Sequence, residues 1–584
     1  MTPSRAERFR HNLVIFGLAA VFIALGGRLY YVQVLCHDRY LKVADAQTRT
    51  EFELPAPRGA ITDRQERPLA VSVPAYLVAA SLPDIREEDR EEAAARLAPL
   101  LEMSKADLLA RLQKDRQFIF LKRKVPVGVA REIEKLQQAE RAAKGPRPLA
   151  GILLLPDSRR SYVNGRLGGP LLGFTDIDDR GAEGAENALD KVLRGTPGKW
   201  AMTRDGRGRP IGILEENYRE PVAGNKVVLT IDVDIQRKLE EQLAAVAEKY
   251  TPAGIIGVVL DPDTGRVLAM ASWPDYDPNS PGACEPLSRL NRNVCTVLEP
   301  GSTFKPFILA TLLEEGAATP ADKFFCENGA WRTGGRTITD AHGYGSLSLT
   351  DIVVKSSNIG MAKAAERLGA EKMWRYCTAF GFGRPTGLGL PGECDGMLRP
   401  PSRWQRESVH SIAFGHEISV TPIQLAAGYA ALVNGGRLYA PQFVLRIENA
   451  RGETVQDFPP RSLGQVISPQ TSATVREVLA QVVARGTGKQ AGVDEYVVGG
   501  KTGTARKLVN GHYSAAKHFS SFVGIAPADR PRLVALITVD EPHGACYGGT
   551  VAAPAVGGLL RDGLACMGVV PRPKSAVAEH HGGR

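Results

Sequence analysis

Ser302 and Lys305 stand three residues apart in the stretch Glu299-Pro300-Gly301-Ser302-Thr303-Phe304-Lys305-Pro306-Phe307. Pro300-Gly301 interrupts whatever precedes it. The apolar run Phe307, Ile308, Leu309, Ala310, Leu312 and Leu313 ends near Gly316, so a helix is expected to open close to Ser302. Residues three apart share a helix face, which brings the hydroxyl and the amine together. A serine hydroxyl is a poor nucleophile at neutral pH and needs a base, and a lysine serves when desolvation or a second cation depresses its pKa. The helix N-terminus adds backbone N–H groups suited to a developing oxyanion. The pair alone is weak evidence, because so short a motif recurs by chance. It recurs here as Ser514-Ala515-Ala516-Lys517, which follows Asn510-Gly511-His512-Tyr513 and reads as a loop ahead of a strand.

Two further stretches put polar groups where a substrate would need them. Lys355-Ser356-Ser357-Asn358 lies between helical segments, with Thr350 as the expected cap. Ser356 offers a hydroxyl that relays a proton, and Asn358 an amide that donates to a carbonyl and accepts from an amine. Taken alone, Ser-Ser-Asn reads as a helix interruption. Val498-Gly499-Gly500-Lys501-Thr502-Gly503-Thr504-Ala505 invites a nucleotide-loop reading, but that loop needs a glycine five residues before Gly500, and position 495 is Glu495. The other reading is a strand edge lining a cleft. Gly503 would let a substrate backbone approach closely. Lys501 would set a second cation near Lys305 and help depress its pKa. Thr502 and Thr504 could bind a carboxylate.

The elements that must hold these groups come from a chain of 584 residues, long enough for more than one domain. Net charge is +9, but no zinc-finger, RNA-binding or helix-turn-helix signature accompanies it, so a mildly basic surface is the simpler reading and nucleic acid is not an expected partner. None of the eight cysteines forms a C-x-x-C pair, which argues against a zinc or thioredoxin-type site; no metal or cofactor is expected. Cys284 and Cys295 flank a short loop before Ser302 and could pair in an oxidising compartment, with free thiols as the alternative. Asn12 to Gly27 is uncharged and apolar, and after Arg28 the run continues through Tyr30, Tyr31 and Leu35. This reads as an uncleaved anchor with Arg28 snorkelling, in preference to a signal peptide cut near Ala24-Leu25-Gly26. Arg5, Arg8 and Arg10 favour a cytoplasmic N-terminus, leaving the rest outside the cytoplasm.

Four regions are expected: a stub and anchor over 1–40, an extended mixed module over 41–225, a main domain over 226–570 and a disordered tail over 571–584. The 41–225 module has a turn-rich lead-in at Pro57 to Arg64 and charged helical periodicity over 84–142, with no assembled chemistry. In the main domain Lys226–Ile231 reads as a strand and Asp234–Tyr250 as an amphipathic helix. Ile255–Leu260 and Arg266–Met270 read as a hairpin, Phe522–Ile525 and Leu533–Val539 as two more strands, and Val551–Met567 as a closing helix. Strands on both sides of a helical middle indicate an α+β domain, one antiparallel sheet flanked by helices.

Ser-x-x-Lys at a helix start, Ser-x-Asn, then Lys-Thr-Gly before strands form a trio that resembles the penicillin-recognising serine acyltransferases, with their penicillin-binding/serine β-lactamase-like fold. Arg58-Gly59-Ala60-Ile61-Thr62-Asp63-Arg64, Gly173-Phe174-Thr175-Asp176 with Glu183-Gly184-Ala185-Glu186, and Phe414-Gly415-His416-Glu417-Ile418-Ser419-Val420-Thr421-Pro422 are similar to class B penicillin-binding proteins, as is the single anchor. Lys501 to Lys507 and Gly-Phe-Thr-Asp resemble the septal (FtsI-like) branch more than the elongation branch. The resemblance runs from about residue 12 to 570. It implies a peptidoglycan D,D-transpeptidase of the bacterial inner membrane with its bulk in the periplasm. Ser302 would attack the penultimate D-Ala of a stem peptide, with Lys305 taking its proton. Ser356 and Asn358 would relay protons and hold the peptide amide. Lys501, Thr502 and Thr504 would bind the terminal carboxylate, and the N–H groups of Ser302 and Thr504 would form the oxyanion hole. A neighbouring stem amine would resolve the acyl-enzyme, joining the fourth residue of one stem to the third of the next, and β-lactams would acylate Ser302 and stay. Implied partners are lipid-linked nascent glycan, a SEDS-family glycosyltransferase and other divisome membrane proteins, met through a non-catalytic pedestal. A D,D-carboxypeptidase or β-lactamase would share Ser302 and Lys305 but pass the acyl group to water. A β-lactam sensor or a division scaffold would be a non-enzyme alternative.

Overall fold

The computed structural model describes residues 4–143, 145–204, 210–509 and 512–571. Of the tail expected to be disordered, all but Pro571 lies outside the described residues. Two units emerge, one from Met1–Pro57, Val73–Arg159 and Gly195–Ala223, the other from Arg58–Ser72, Arg160–Arg194 and Gly224–Arg584. The chain thus contributes 58–72 and 160–194 to the same unit as its C-terminal half, a discontinuity that a linear reading could not contain.

The first unit opens with helix α1, Arg5–Tyr30, extended by a π-helical segment over Tyr31–Leu35. Ser4 caps it reciprocally with Glu7: the Glu7 N–H donates to Ser4 Oγ at 3.3 Å and the Ser4 N–H to Glu7 Oε2 at 2.8 Å. Arg5–Leu35 is long and apolar enough to cross a bilayer, with mean hydropathy 2.0 and no residue buried in its most apolar window. The Arg28 guanidinium lies over the Tyr31 ring. Further on, residues 75–81 pair antiparallel with Phe118–Pro126. Helices Arg90–Leu101, Lys105–Leu112 and Val127–Ala142 bury Leu97, Leu101, Leu108, Leu112 and Ile133 against Val78, Leu121 and Val125. The charged helical periodicity expected over 84–142 is therefore three amphipathic helices interrupted by one strand. A three-stranded antiparallel sheet joins Arg49–Leu54, Gly198–Arg204 and Pro210–Arg219.

The second unit is built on a five-stranded antiparallel sheet of β1 Gly254–Leu260, β2 Val267–Trp273, β3 Gly499–Val509, β4 His512–Ala526 and β5 Leu533–Asp540, in the order β2-β1-β5-β4-β3. Side chains alternate across a strand, and both faces here are covered. Ile255, Val259, Phe522, Ala535 and Ile537 pack with helices α2 Val233–Tyr250 and α8 Ala553–Cys566. Val258, Leu260, Val523, Ile525, Val534 and Leu536 face a larger core. That core contains helices α3 Lys305–Glu314, α4 Leu349–Lys355, α5 Asn358–Ala365, α6 Pro422–Val433 and α7 Pro469–Arg485. The α+β sheet flanked by helices is as expected. Two local expectations are corrected. Ser348, not Thr350, caps α4, because its side chain reaches the Asp351 N–H. The second Ser-x-x-Lys lies in strand β4 rather than in a loop, where the two-residue period of a strand denies Ser514 and Lys517 a common face.

The stretch Arg58-Gly59 and the Glu183 to Glu186 segment have a structural role. Arg58 Nε donates to Glu186 Oε2 at 2.6 Å and its Nη1 to Asp190 Oδ1 at 2.7 Å; Arg160 Nε donates to Glu186 Oε1 at 2.6 Å. Glu186 is fully buried, and its charge is balanced by two buried guanidiniums. This cluster ties residues 58–60, 160–162 and 181–190 to one another.

Candidate active site

Gly301–Phe304 forms a single 3-10 turn that runs straight into α3, and this turn carries Ser302. Aromatic packing fixes it from below. Phe304 and Phe307 pack tilted and edge-on against Phe382 at ring centroid distances of 5.2 and 5.0 Å, and Phe307 meets Tyr429 at 5.3 Å. The Tyr429 hydroxyl donates to Thr303 O at 2.6 Å. The stretch from Phe414 to Pro422 braces the turn from the side. The Gly301 N–H donates to Gly415 O at 3.0 Å, Leu298 pairs with Val420, and the Glu417 N–H donates to Glu299 Oε1 at 3.0 Å. Gly415 has φ +80°, and a Cβ there would lie 2.2 Å from Gly301 O, so no other residue lets the two loops touch.

Lys305, expected beside Ser302, is fully buried there. Its Nζ lies 3.1 Å from Ser302 Oγ, 2.6 Å from Ser356 O, 3.2 Å from Ser356 Oγ and 2.8 Å from Asn358 Oδ1. Burial pushes the amine down to about 7, against the opposing pull of Asp340. A neutral amine has two N–H groups and one lone pair. Two of the four neighbours, Ser356 O and Asn358 Oδ1, can only accept. They take both protons, and the lone pair is left for a hydroxyl. The Asn358 Nδ2 group donates to Thr339 O at 3.0 Å, which fixes Oδ1 toward Lys305. The arrangement suits Lys305 to remove the Ser302 proton.

Ser356 and Asn358 reach this point because the interruption between α4 and α5 has a defined shape. Ser356 closes α4 in the left-handed region, φ +63°, and Ser357 caps α5 by accepting from the Gly360 N–H. The helix interruption and the polar site, two readings of one motif, are the same feature. Asp340, which sequence reasoning missed, organises it. Its Oδ1 accepts the N–H groups of Asn358 at 2.5 Å and Ile359 at 3.1 Å, and its Oδ2 accepts the Ser357 hydroxyl at 2.5 Å. It sits just after the Ala330–Thr333/Arg336–Thr339 hairpin, outside any motif, so spacing held no signal for it.

Lys501 on β3 is also fully buried, and its Nζ donates to Ser356 Oγ at 3.0 Å. The Ser356 hydroxyl therefore bridges the two lysines. Burial pushes the Lys501 amine well below its ordinary range, and the charge of Lys305 adds to that. Thr502 follows Lys501 on β3. Its hydroxyl pairs with Thr487 Oγ1 at 2.8 Å and accepts a hydrogen bond from Lys501 Nζ at 3.3 Å. Thr487 was missed too, although Gly486-Thr487-Gly488 just after a helix signals a tight turn with a hydroxyl at its centre. Thr504 accepts from the Gly548 N–H at 3.2 Å. Gly503 admits the protein's own backbone: a Cβ there would lie 2.8 Å from Thr303 Cγ2 and 3.1 Å from Pro300 O. Its lack of a side chain lets β3 sit against the Ser302 turn. His416, which the sequence marks only as part of the Phe414 to Pro422 stretch, sits beside Lys305; burial and then Lys305 push its imidazole down to about 4.

Residues 255–561 match the family described as penicillin binding protein transpeptidase domain, and residues 53–229 the penicillin-binding protein dimerisation domain. Stage V sporulation protein D of Bacillus subtilis is 36% identical over 571 residues, covering 96% of this chain and 86% of the relative. The peptidoglycan D,D-transpeptidase FtsI of Escherichia coli K12 is 32% identical, covering 95% and 91%. Among solved structures, penicillin binding protein 3 from Mycobacterium tuberculosis, complexed with aztreonam, superposes with TM-score 0.67 at 27% identity, covering 89% of this chain and 98% of that one.

Proposed function

The chain belongs to the class B penicillin-binding proteins, carrying both their dimerisation and their transpeptidase domains, and from that premise we propose that it cross-links peptidoglycan stem peptides during septal wall synthesis through a Ser302 acyl-enzyme. The observation that carries the chemistry is the position of Lys305: a buried amine 3.1 Å from Ser302 Oγ, with its N–H groups directed to Ser356 O and Asn358 Oδ1. In the acylation step Ser302 Oγ bonds to the carbonyl carbon of the penultimate D-Ala as its proton passes to Lys305 Nζ. The bond to the terminal D-Ala nitrogen breaks, and that nitrogen receives the proton through Lys305 and Ser356. The N–H groups of Ser302 and Thr504 hold the oxyanion. Asn358 holds the peptide amide, and Lys501, Thr502 and Thr504 face the terminal carboxylate. A stem amine then attacks the ester, returns its proton along the same path and frees Ser302.

The septal assignment rests on the FtsI relative and on the Lys501 to Lys507 stretch. β-Lactams acylate Ser302 in this reading, which the aztreonam complex of a solved relative supports. Arg5–Leu35 anchors the protein in the inner membrane with its N-terminus in the cytoplasm and its body in the periplasm. Residues 41–225 serve as the non-catalytic pedestal and 226–570 as the transpeptidase domain, and the pedestal meets a SEDS-family glycosyltransferase and other divisome proteins.

The test uses the full-length chain in detergent with a fluorescent penicillin, then with lipid-linked glycan strands bearing stem pentapeptides. Labelling that disappears in Ser302→Ala, together with cross-linked dimers released by muramidase digestion, is the expected result. Labelling that survives the substitution moves the nucleophile elsewhere. Release of D-Ala without dimers turns the assignment to a carboxypeptidase.

A further inference from the structure

We propose that Cys295 and Cys394 form an intrachain disulfide that staples the segment leading into the Ser302 turn to the loop around residue 394. The sequence suggested Cys284 as the partner of Cys295, but the fold separates their surroundings. The Cys284 thiol donates to Pro281 O at 3.3 Å, and it acts electrostatically on Arg166 and Tyr276. Cys295 instead meets Cys394. The Cys394 N–H donates to Val294 O at 2.9 Å, and the Cys394 thiol donates to Cys295 O at 3.3 Å. A backbone hydrogen bond to the residue before Cys295 brings the two cysteines alongside each other, as a disulfide requires. A Cβ added at Gly392, two residues before Cys394, would lie 3.8 Å from Cys295 Cβ, so the loop passes close to that cysteine. Both thiols are free and half-buried. Burial and then the neighbouring thiol raise the pKa of Cys295, as expected of two sulfurs sharing one site.

The place matters. Cys295 ends the turn Arg292–Cys295; Leu298 then pairs with Val420, and Glu299 accepts from the Glu417 N–H. Cys394 stands three residues before Met397, which pairs with Ser419. A bond between the sulfurs would close a ring around the segment that braces Gly301 and Ser302. The reaction is thiol–disulfide exchange. One cysteine thiolate attacks an external disulfide and expels a thiol, and the second cysteine attacks the resulting mixed disulfide and expels the other. Two protein thiols are oxidised, one external disulfide is reduced to two thiols, and the two protons leave with them.

The experiment uses the full-length chain in detergent, equilibrated with oxidised or reduced glutathione, denatured, alkylated and digested without further reduction. The chemistry stands apart from the septal reading, because glutathione supplies the oxidant whatever compartment the protein occupies. The expected result with oxidised glutathione is a cross-linked peptide pair containing Cys295 and Cys394, lighter by two hydrogens than the sum of its parts and lost on reduction. The oxidised form should unfold roughly 2–4 °C above the reduced form. Cys394→Ser should unfold at the same temperature under both conditions. Alkylation of both cysteines in the oxidised sample overturns the proposal. So does a peptide joining Cys295 to Cys284.

Discussion

Replacing Asp340 with asparagine tests how the site holds Lys305 at a useful pKa. The Asp340 carboxylate accepts three hydrogen bonds at the head of α5, two from backbone N–H groups and one from Ser357. Asparagine keeps one oxygen for the backbone groups but turns an NH2 toward Ser357 Oγ, which already accepts from the Gly360 N–H. The loss of one charge-assisted bond and of the anion at a helix N-terminus sums to about 2–4 kcal/mol of stability. Asp340 is also the charge that holds the Lys305 amine up against burial. Without it the amine falls further below 7, and the sign of the kinetic change follows. Acylation needs neutral Lys305, so the wild-type rate rises with pH and levels off above about 7; at pH 6 about a tenth of the plateau rate remains. In Asp340→Asn the acid limb moves to lower pH, so the ratio of the rate at pH 6 to that at pH 8 increases. The plateau itself falls about 10- to 100-fold, because Ser357 and Asn358, which flank and complete the site, lose their anchor. The assay is the second-order rate of fluorescent-penicillin acylation of the full-length chain from pH 5.5 to 9 at constant ionic strength. The apparent pKa belongs to the coupled Lys305–Lys501 pair, and its direction of movement is the diagnostic. An acid limb that moves to higher pH refutes the electrostatic argument, and an unchanged plateau refutes the positional one.

Three other substitutions probe separate parts of the unit. Glu186→Gln leaves Arg58 and Arg160 without their buried anion and should cost about 3–5 kcal/mol in denaturant unfolding, far more than a surface ion pair. Gly503→Ala puts a methyl group against Thr303 and Pro300 O; it should slow acylation at least tenfold, with circular dichroism showing the fold retained. Glu240, which accepts from the Gly168 N–H and from Gln236 Nε2, has its carboxyl raised by burial to about 7. A folded pKa above the unfolded value means that its contribution is full below about 4.5 and is lost as pH rises through about 7. Glu240→Gln should therefore match wild type at pH 4.5 and exceed it by up to about 3 kcal/mol at pH 8 in urea titrations.

What the sequence made legible was whatever is written locally. The 3.6-residue period after Pro300-Gly301 placed Ser302 and Lys305 on one face, and the alternating strands around the helical middle gave the α+β sheet. What it hid was set by contacts between distant parts of the chain. Asp340 reaches Ser357 and Asn358 only because the hairpin before it folds back on the start of α5, and no pattern in residues 330–340 records that return. Gly503 could be read as a position needing close approach, but only the fold shows that Pro300 O and Thr303 Cγ2 come that close to it. Thr350 lost its capping role for a smaller reason: Ser348 lies two residues earlier with the same kind of hydroxyl, and the boundary of a short helix is the part of a sequence reading most easily shifted. The class B stretches show the same division. In the sequence, Arg58-Gly59 and Glu183 to Glu186 carry a family resemblance and no visible physical role. In the fold they become one buried charge cluster, Arg58, Arg160, Glu186 and Asp190, three of whose members lie more than a hundred residues from the fourth or from its first partner. A motif can therefore be recognised from sequence well before its physical work can be assigned. Here that work divides in two: one set of residues depresses and aims a lysine beside a serine, and the other keeps distant segments of the chain in register so that the first set can meet.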